Sequence, residues 1–106
     1  MEWTLVCPLD EIVPDTGVCA LLGQEQVAVF RVGADQVYAI GNVDPHSGAA
    51  VLARGLVGSI GARIVVASPI YKQHFDLQNG ACIESAAHAV DCYRARVAEG
   101  QVWIAR

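Results

Sequence analysis

Residues 63–80 read Arg-Ile-Val-Val-Ala-Ser-Pro-Ile-Tyr-Lys-Gln-His-Phe-Asp-Leu-Gln-Asn-Gly, and this stretch decides the fold. The apolar run from Arg63 to Ala67 predicts a buried strand, and Ser68 to Gln73, which contains a proline, predicts a loop. His74 to Leu77 predicts a second strand. That strand runs into Gln78-Asn79-Gly80, where Asn-Gly is the strongest short signal for a tight hairpin turn. The stretch therefore indicates strands joined by loops and turns, without a helix.

The rest of the chain repeats this alternation of short strands and turns. A long loop is predicted over residues 41–55, and brief helical turns are expected within 9–14 and 85–90. Short strands separated by glycine-containing turns predict an all-β fold, an antiparallel β-sandwich or barrel, as a single domain over residues 1–106. The other predicted strands are Trp3–Cys7, Gly17–Leu22, Gln26–Val32, Gln36–Ile40, Leu56–Ile60, Ala81–Glu84, Tyr93–Val97 and Gln101–Ala105.

The hydrophobic fraction and the distribution of charge limit the kinds of partner that this chain is expected to bind. The 106 residues are 54% hydrophobic and carry a net charge of −4. No apolar stretch approaches the roughly 20 residues that cross a bilayer, and no basic region precedes an apolar segment at the N-terminus, so a cytoplasmic protein is expected. The seven Lys and Arg residues are scattered singly. Because the chain has no basic stripe, nucleic acid and anionic membrane surfaces are disfavoured, and neither is expected as a partner.

The cysteine pattern favours free thiols. None of the four forms a C-x-x-C pair or stands at zinc-finger spacing from a histidine. Their apolar or β-prone neighbours predict four reduced thiols in a reducing compartment, and a disulfide or a metal site assembled in three dimensions is the alternative. The four residues are Cys7, Cys19, Cys82 and Cys92.

Two predicted loops carry the residues with chemistry of their own, Asp44-Pro45-His46 and Ser68-Pro69-Ile70-Tyr71. Together they resemble the frame of a Rieske iron–sulfur site, Cys-x-His followed by Cys-x-x-His. In that site two thiolates hold one iron and two imidazoles hold the other. At the two cysteine positions this chain has Asp44 and Ser68, and at the two histidine positions it has His46 and Tyr71. The prolines of the frame are retained.

The chain also resembles a narrower family, the small subunit of the assimilatory NAD(P)H-dependent nitrite reductase. The resemblance covers essentially the whole sequence. It implies a Rieske-like fold without the cluster, in a subunit that supports a large subunit. It further implies that the large subunit carries flavin, sirohaem and a [4Fe–4S] cluster and reduces nitrite to ammonia. The family usually has an aromatic residue where this chain has His46. The matching segments are Cys7–Val18, Val27–Phe30, Val37–Pro45, Val51–Gly58 and Ala67–Phe75.

Donor chemistry argues against a cluster in this chain. Fe–S irons take thiolate and imidazole, whereas Ser68 offers a protonated alcohol and Tyr71 a phenol with a pKa of about 10. Asp44 is a hard oxygen donor. We therefore expect no catalytic, cofactor-binding or metal-ligating residue, and two loops that close by hydrogen bonds and packing. One alternative is a metal held by Asp44, His46 and Tyr71 in an electron-transfer protein. Another is a stand-alone Rieske-like binding module.

The residues after the second loop are candidates for docking. Lys72, Gln73 and His74 stand where a Rieske protein presents its cluster edge to redox partners, so they form either a docking rim for the large subunit or an ordinary solvated loop.

His88 has no partner at ligand spacing and is expected on a surface loop. No nucleophile motif, G-x-G-x-x-G or P-loop is present, so hard redox chemistry is expected on another polypeptide. Trp3 and Trp103 are expected to pack in the terminal strands.

Overall fold

The computed structural model describes residues 2–106 and contains nine strands and three short 3-10 turns. The 3-10 turns span Leu9–Glu11, Leu52–Arg54 and Ala86–His88. Among the described residues, no helix is long and apolar enough to cross a membrane. The strands are β1 Thr4–Pro8, β2 Thr16–Leu22, β3 Glu25–Val32, β4 Gln36–Gly41, β5 Leu56–Ile60, β6 Arg63–Ala67, β7 His74–Asp76, β8 Cys92–Ala98 and β9 Gln101–Ala105.

Six strands form an antiparallel sheet in the order β1-β9-β8-β4-β3-β2, which curls into a nearly closed barrel. Strands β2, β3 and β4 form consecutive hairpins. Strand β8 joins these hairpins to the strands at the two ends of the chain. Ala39 on β4 pairs with Tyr93 on β8, and Ala95 on β8 pairs with Ile104 on β9. Trp3 precedes β1 and is half-buried, and the Arg96 guanidinium lies 4.2 Å from its ring centroid. The all-β prediction is confirmed.

A second, three-stranded sheet in the order β5-β6-β7 carries the two loops of interest. Residues 42–55 connect β4 to β5, and residues 68–73 connect β6 to β7. The two loops therefore leave the ends of β4 and β6 and meet above this sheet. This is the arrangement that the sequence predicted for them.

Strand β3 is buried on both faces and separates two core clusters. Val27 and Val29 face one cluster, with Ile12, Tyr93 and the inner residues of β9. Ala28 and Phe30 face the other, because successive side chains of a strand point to opposite faces. Each fully buried Phe contributes roughly 1.5–3 kcal/mol to folding. The second cluster lies beneath the two loops and comprises Ala28, Phe30, Ile40, Leu52, Val66, Phe75, Leu77 and Cys82.

The predicted strand over 81–84 is wrong. The turn over 78–80 forms, with Gly80 at φ 79°, but beyond it the only pairing is a single bridge between Phe75 and Cys82. The reason is that the Glu84 side chain replaces a strand partner of β7: its Oε1 accepts the backbone N–H of His74 at 2.8 Å. A side chain thus satisfies the donor that a continuing strand would have paired, and the chain turns away.

Candidate functional site

Asp44 is the buried centre of the site. Its side chain has no exposed area, and one carboxylate oxygen accepts the hydroxyl of Ser68, which is 1% exposed. The other oxygen accepts the backbone N–H of His46 at 2.8 Å, which closes an Asx turn. We call the Asp44–Ser68 hydrogen bond the loop clasp, because it joins the loop after β4 to the loop after β6.

The clasp holds a charge. Burial alone would raise the pKa of the Asp44 carboxyl. Hydrogen bonds from Ser68 and from the backbone N–H groups of His46 and Ser47 outweigh burial and hold this pKa below its ordinary value. Asp44 is therefore an anion near neutral pH, and hydrogen-bond donors of the two loops stabilise its charge.

The second loop is a tight turn. The N–H of Ser68 donates to the carbonyl of Gln73 at 2.8 Å, and the N–H of Lys72 donates to the carbonyl of Ser68 at 3.0 Å. Closing the turn places Lys72 in the left-handed region at φ 62°. The turn holds Ile70 and Tyr71 on the surface, 44% and 60% exposed.

His46 packs among rings. Its ring lies 4.1 Å from that of His88 and meets the ring of Phe75 edge-on at 6.4 Å. Nδ1 lies 3.4 Å from a carboxylate oxygen of Asp44 and, within residues 2–106, makes no hydrogen bond. His88 ends the 3-10 turn Ala86–His88 and is half-buried; its ring is tilted by 37° against that of His46, and its Nδ1 lies 2.8 Å from the Ser85 hydroxyl. Local spacing carries no signal for this contact, because the two histidines are distant in sequence.

The four frame positions do not fit a Rieske cluster. Where two thiolates would stand, a carboxylate and an alcohol bond directly to each other. The phenol of Tyr71 is largely exposed. Over residues 2–106, no three His, Cys, Asp or Glu side chains are grouped to hold a metal ion. We therefore derive no electron-transfer step through these residues.

The four cysteines lie away from the clasp and form no disulfide within the described chain. Cys82 is in the core cluster beneath the loops, Cys7 is half-buried, and Cys19 and Cys92 are exposed. Although Cys92 is exposed overall, its thiol donates to the carbonyl of Gln78, and partial desolvation of the sulfur raises its pKa; the nearby Asp76 carboxylate adds to the rise, so this thiol is protonated near neutral pH.

Of the three predicted docking residues, Lys72 is exposed and the other two are half-buried. The side-chain oxygen of Gln73 is buried and makes no hydrogen bond to residues 2–106. The ring of His74 meets Glu84, with Nδ1 2.5 Å from Oε2. Four exposed residues of the two loops are called the loop rim, and three of them are apolar or aromatic: Pro45, Ile70, Tyr71 and Lys72.

Comparison with known proteins assigns the family. The model of the Rieske-like [2Fe-2S] domain matches residues 2–105. The nitrite reductase (NADH) small subunit of Escherichia coli K12 is 49% identical over 102 residues, which cover 95% of this chain and 94% of the relative. The chain belongs to the nitrite reductase small-subunit family. The family resemblance inferred from the sequence is confirmed.

Structural comparison of this family member agrees. The solution structure of the E. coli protein NirD superposes with a TM-score of 0.90 at 48% identity, covering 97% of this chain and 94% of that one. A further relative is the nitrite reductase [NAD(P)H] large subunit of Klebsiella oxytoca. It is 43% identical over 102 residues, which cover 96% of this chain but only 11% of that much longer protein. The Rieske-like fold class is confirmed.

Proposed function

We propose that this chain is the non-catalytic small subunit of a cytoplasmic, NAD(P)H-dependent nitrite reductase that serves nitrate assimilation. It binds a large subunit, which carries the flavin, sirohaem and [4Fe–4S] cluster and reduces nitrite to ammonia. The observation that carries the proposal is the loop clasp. The Asp44–Ser68 hydrogen bond occupies the position of the missing thiolates and keeps the two loops together without metal.

The Klebsiella relative supports the choice of partner. A protein named as a large subunit contains, within 11% of its length, a segment similar to nearly all of this chain. A domain of this kind and a large subunit therefore occur on one polypeptide. In the proposed complex they occur on two and meet through a non-covalent interface.

The loop rim is the proposed contact with the large subunit. Exposed apolar and aromatic side chains on a rigid turn lose little conformational entropy on binding, and aromatic residues are enriched among interface hot spots. Tyr71 and Ile70 supply the apolar area and Lys72 the single cation. Gln73 closes the turn through its backbone carbonyl, which accepts the N–H of Ser68, and His74 begins β7, so we propose a smaller part in docking for these two half-buried residues.

Co-expression of the large subunit with and without this chain tests the proposal. We expect NAD(P)H-dependent nitrite reduction and a larger complex by light scattering only when both chains are present. Tyr71→Ser should weaken association by about ten-fold or more, since central aromatic contacts often contribute about 2 kcal/mol. Leu21→Ser is the matched control, because Leu21 is 64% exposed on the edge strand β2.

Two outcomes contradict the proposal. Equal activity and equal complex size with and without this chain would remove the supporting role. A metal ion bound stoichiometrically to the purified chain, with visible absorption, would instead favour the metal-binding alternative at Asp44, His46 and Tyr71. Recovery of a partner other than a sirohaem flavoprotein would favour a stand-alone binding module.

A further inference from the structure

Strand β5 forms an open edge of the three-stranded sheet. It pairs with β6 on one side and, within residues 2–106, with no strand on the other. At the opposite edge of this sheet the chain covers β7, because the N–H of Asp76 donates to the carbonyl of Ala81. Further along that edge, the carbonyl of His74 accepts the N–H of Ile83. The chain therefore closes one edge of this sheet and leaves the other open.

The open edge of β5 presents backbone groups that have no strand partner. A two-residue loop joins β5 to β6, so Ile60 and Arg63 form a hydrogen-bonded pair. Residues that bond the neighbouring strand alternate along an antiparallel strand with residues that do not. The N–H and C=O groups of Val57 and Ser59 therefore point away from β6, and no other backbone group of the described chain bonds them. Such a row of groups is a template for a further strand.

The features that usually prevent strand pairing are missing from this edge. Natural edge strands are protected by lysines, prolines, bulges or inward-pointing charges. The segment Leu56–Ile60 has no charged residue and no proline, and its register with β6 is regular. Two apolar side chains are exposed on it, Leu56 by 79% and Ile60 by 39%. These features favour another β-strand as the occupant of the edge.

The edge is complementary to a second copy of itself. When two β5 strands run antiparallel about an axis at Gly58, Val57 of each copy exchanges both backbone hydrogen bonds with Ser59 of the other. This register pairs every free group of the edge. It also brings Leu56 opposite Ile60 of the second copy, at positions where side chains approach most closely. Each chain has a net charge of −4, but the paired segments are uncharged, so no like charges are opposed there.

We propose that β5 pairs with β5 of a second copy of this chain and forms a symmetric dimer, in which three strands from each copy make one continuous sheet. A contact between two five-residue strands is small compared with the roughly 1,200 Å² at the lower limit of stable interfaces, so the dimer is weak and reversible. The antiparallel pairing places the loop rims toward opposite ends of the shared sheet. The inference does not rest on the proposed function.

Gly58→Lys tests the dimer, with Ala34→Lys as the matched control. Gly58 is exposed, and a β-carbon there would have no atom within 4 Å, so the monomer accommodates a lysine. In the dimer the two lysines would face each other across the axis, and like charges directly opposite one another are destabilising. Ala34 is exposed on the turn between β3 and β4, so the control changes the net charge equally. Thermal melts establish that both variants are folded.

Sedimentation equilibrium of the full chain between about 10 µM and about 1 mM covers the range of weak association. Wild type should shift from monomer toward dimer as the concentration rises. We expect Gly58→Lys to raise the dissociation constant about ten-fold or more, because it adds a repulsion at the centre of the contact. Ala34→Lys should stay within about two-fold of wild type, since its lysine lies outside the paired strands.

Amide hydrogen exchange locates the contact on the chain. The amides of Val57 and Ser59 should exchange more slowly as the concentration of wild type rises, because the second copy supplies their acceptors. The amides of Leu56, Gly58 and Ile60 already bond β6 and should change little. In Gly58→Lys the exchange of Val57 and Ser59 should no longer depend on concentration.

Three results would overturn the proposal. Wild type that stays monomeric up to about 1 mM forms no edge dimer. A dimer that Gly58→Lys leaves intact, or that leaves the exchange of Val57 and Ser59 unchanged, forms through another surface. If Gly58→Lys weakens binding to the large subunit and not self-association, the open edge accepts a strand of that subunit. None of these results decides the role of the loop rim, which Tyr71→Ser tests separately.

Discussion

Ser68→Ala is the sharpest test of the loop clasp. The change removes the hydroxyl that donates to Asp44 and leaves a fully buried carboxylate oxygen without that donor. Losing the partner of a buried group costs about 1–3 kcal/mol, with charged groups at the upper end, so we expect a loss of about 2–3 kcal/mol in the free energy of unfolding. An unfolding entropy of about 2.1 cal/mol/K per residue over 106 residues converts this to a fall in Tm of about 9–14 °C.

The pH dependence of the same variant adds a second signature. The pKa of Asp44 is lowered in the folded protein, below the unfolded value of about 3.9. Its stabilisation is therefore complete above that value and is lost as the pH falls through the folded-state pKa. The gap in stability between wild type and Ser68→Ala should accordingly be full near pH 7 and narrow below about pH 4.

Urea denaturation followed by circular dichroism, carried out at several pH values, measures the free energy of unfolding and its dependence on pH. Ser59→Ala, at an exposed serine of β5, is the control and should stay within about 0.5 kcal/mol of wild type. If Ser68→Ala is as stable as this control near pH 7, or if its deficit widens on acidification, then the clasp does not hold the loops and the reasoning fails.

Two further predictions address the supports of the site. Arg63→Gln removes the 2.8 Å contact to the buried carboxylate of Asp76, and urea unfolding should show a loss of about 1–2 kcal/mol, limited by the partial exposure of Arg63. Equal urea midpoints for Arg63→Gln and wild type would contradict this prediction. Gly80→Ala should prevent correct folding or cost more than about 3 kcal/mol, since a β-carbon would lie 2.1 Å from the carbonyl oxygen of Val90. Gly61 has the same left-handed backbone conformation, but no atom lies within 4 Å of the position of its β-carbon. Gly61→Ala should therefore lower the free energy of unfolding by only about 1–2 kcal/mol, and similar melts for the two alanine variants would refute the steric argument.

Sequence reasoning recovered the strands because their signals are local. The Asn-Gly turn over 78–80 and the alternation through β2 and β3 each fix a hairpin within a few residues. The strand predicted over 81–84 failed because Glu84 reaches across to His74 and ends the ladder. The strand propensity of a residue does not indicate which backbone N–H group its side chain will accept a hydrogen bond from.

The site was predicted in outline but not in its contacts. Closure of the two loops by hydrogen bonds was predicted without naming the pair, and the structure identifies it as the Ser68 hydroxyl donating to Asp44. The contact between the rings of His46 and His88 was missed, because the two residues are far apart in the chain and no local pattern links them.

The pairing of the first strand with the last has a consequence for how this domain enters larger proteins. Thr4 on β1 faces Ile104 on β9, so chain leaving either end of the barrel departs from the same place. A linker can then join the domain to another polypeptide, or carry it as an insertion, without disturbing the sheet. The relatives show both arrangements: the segment similar to this chain covers 94% of the Escherichia protein and 11% of the Klebsiella protein.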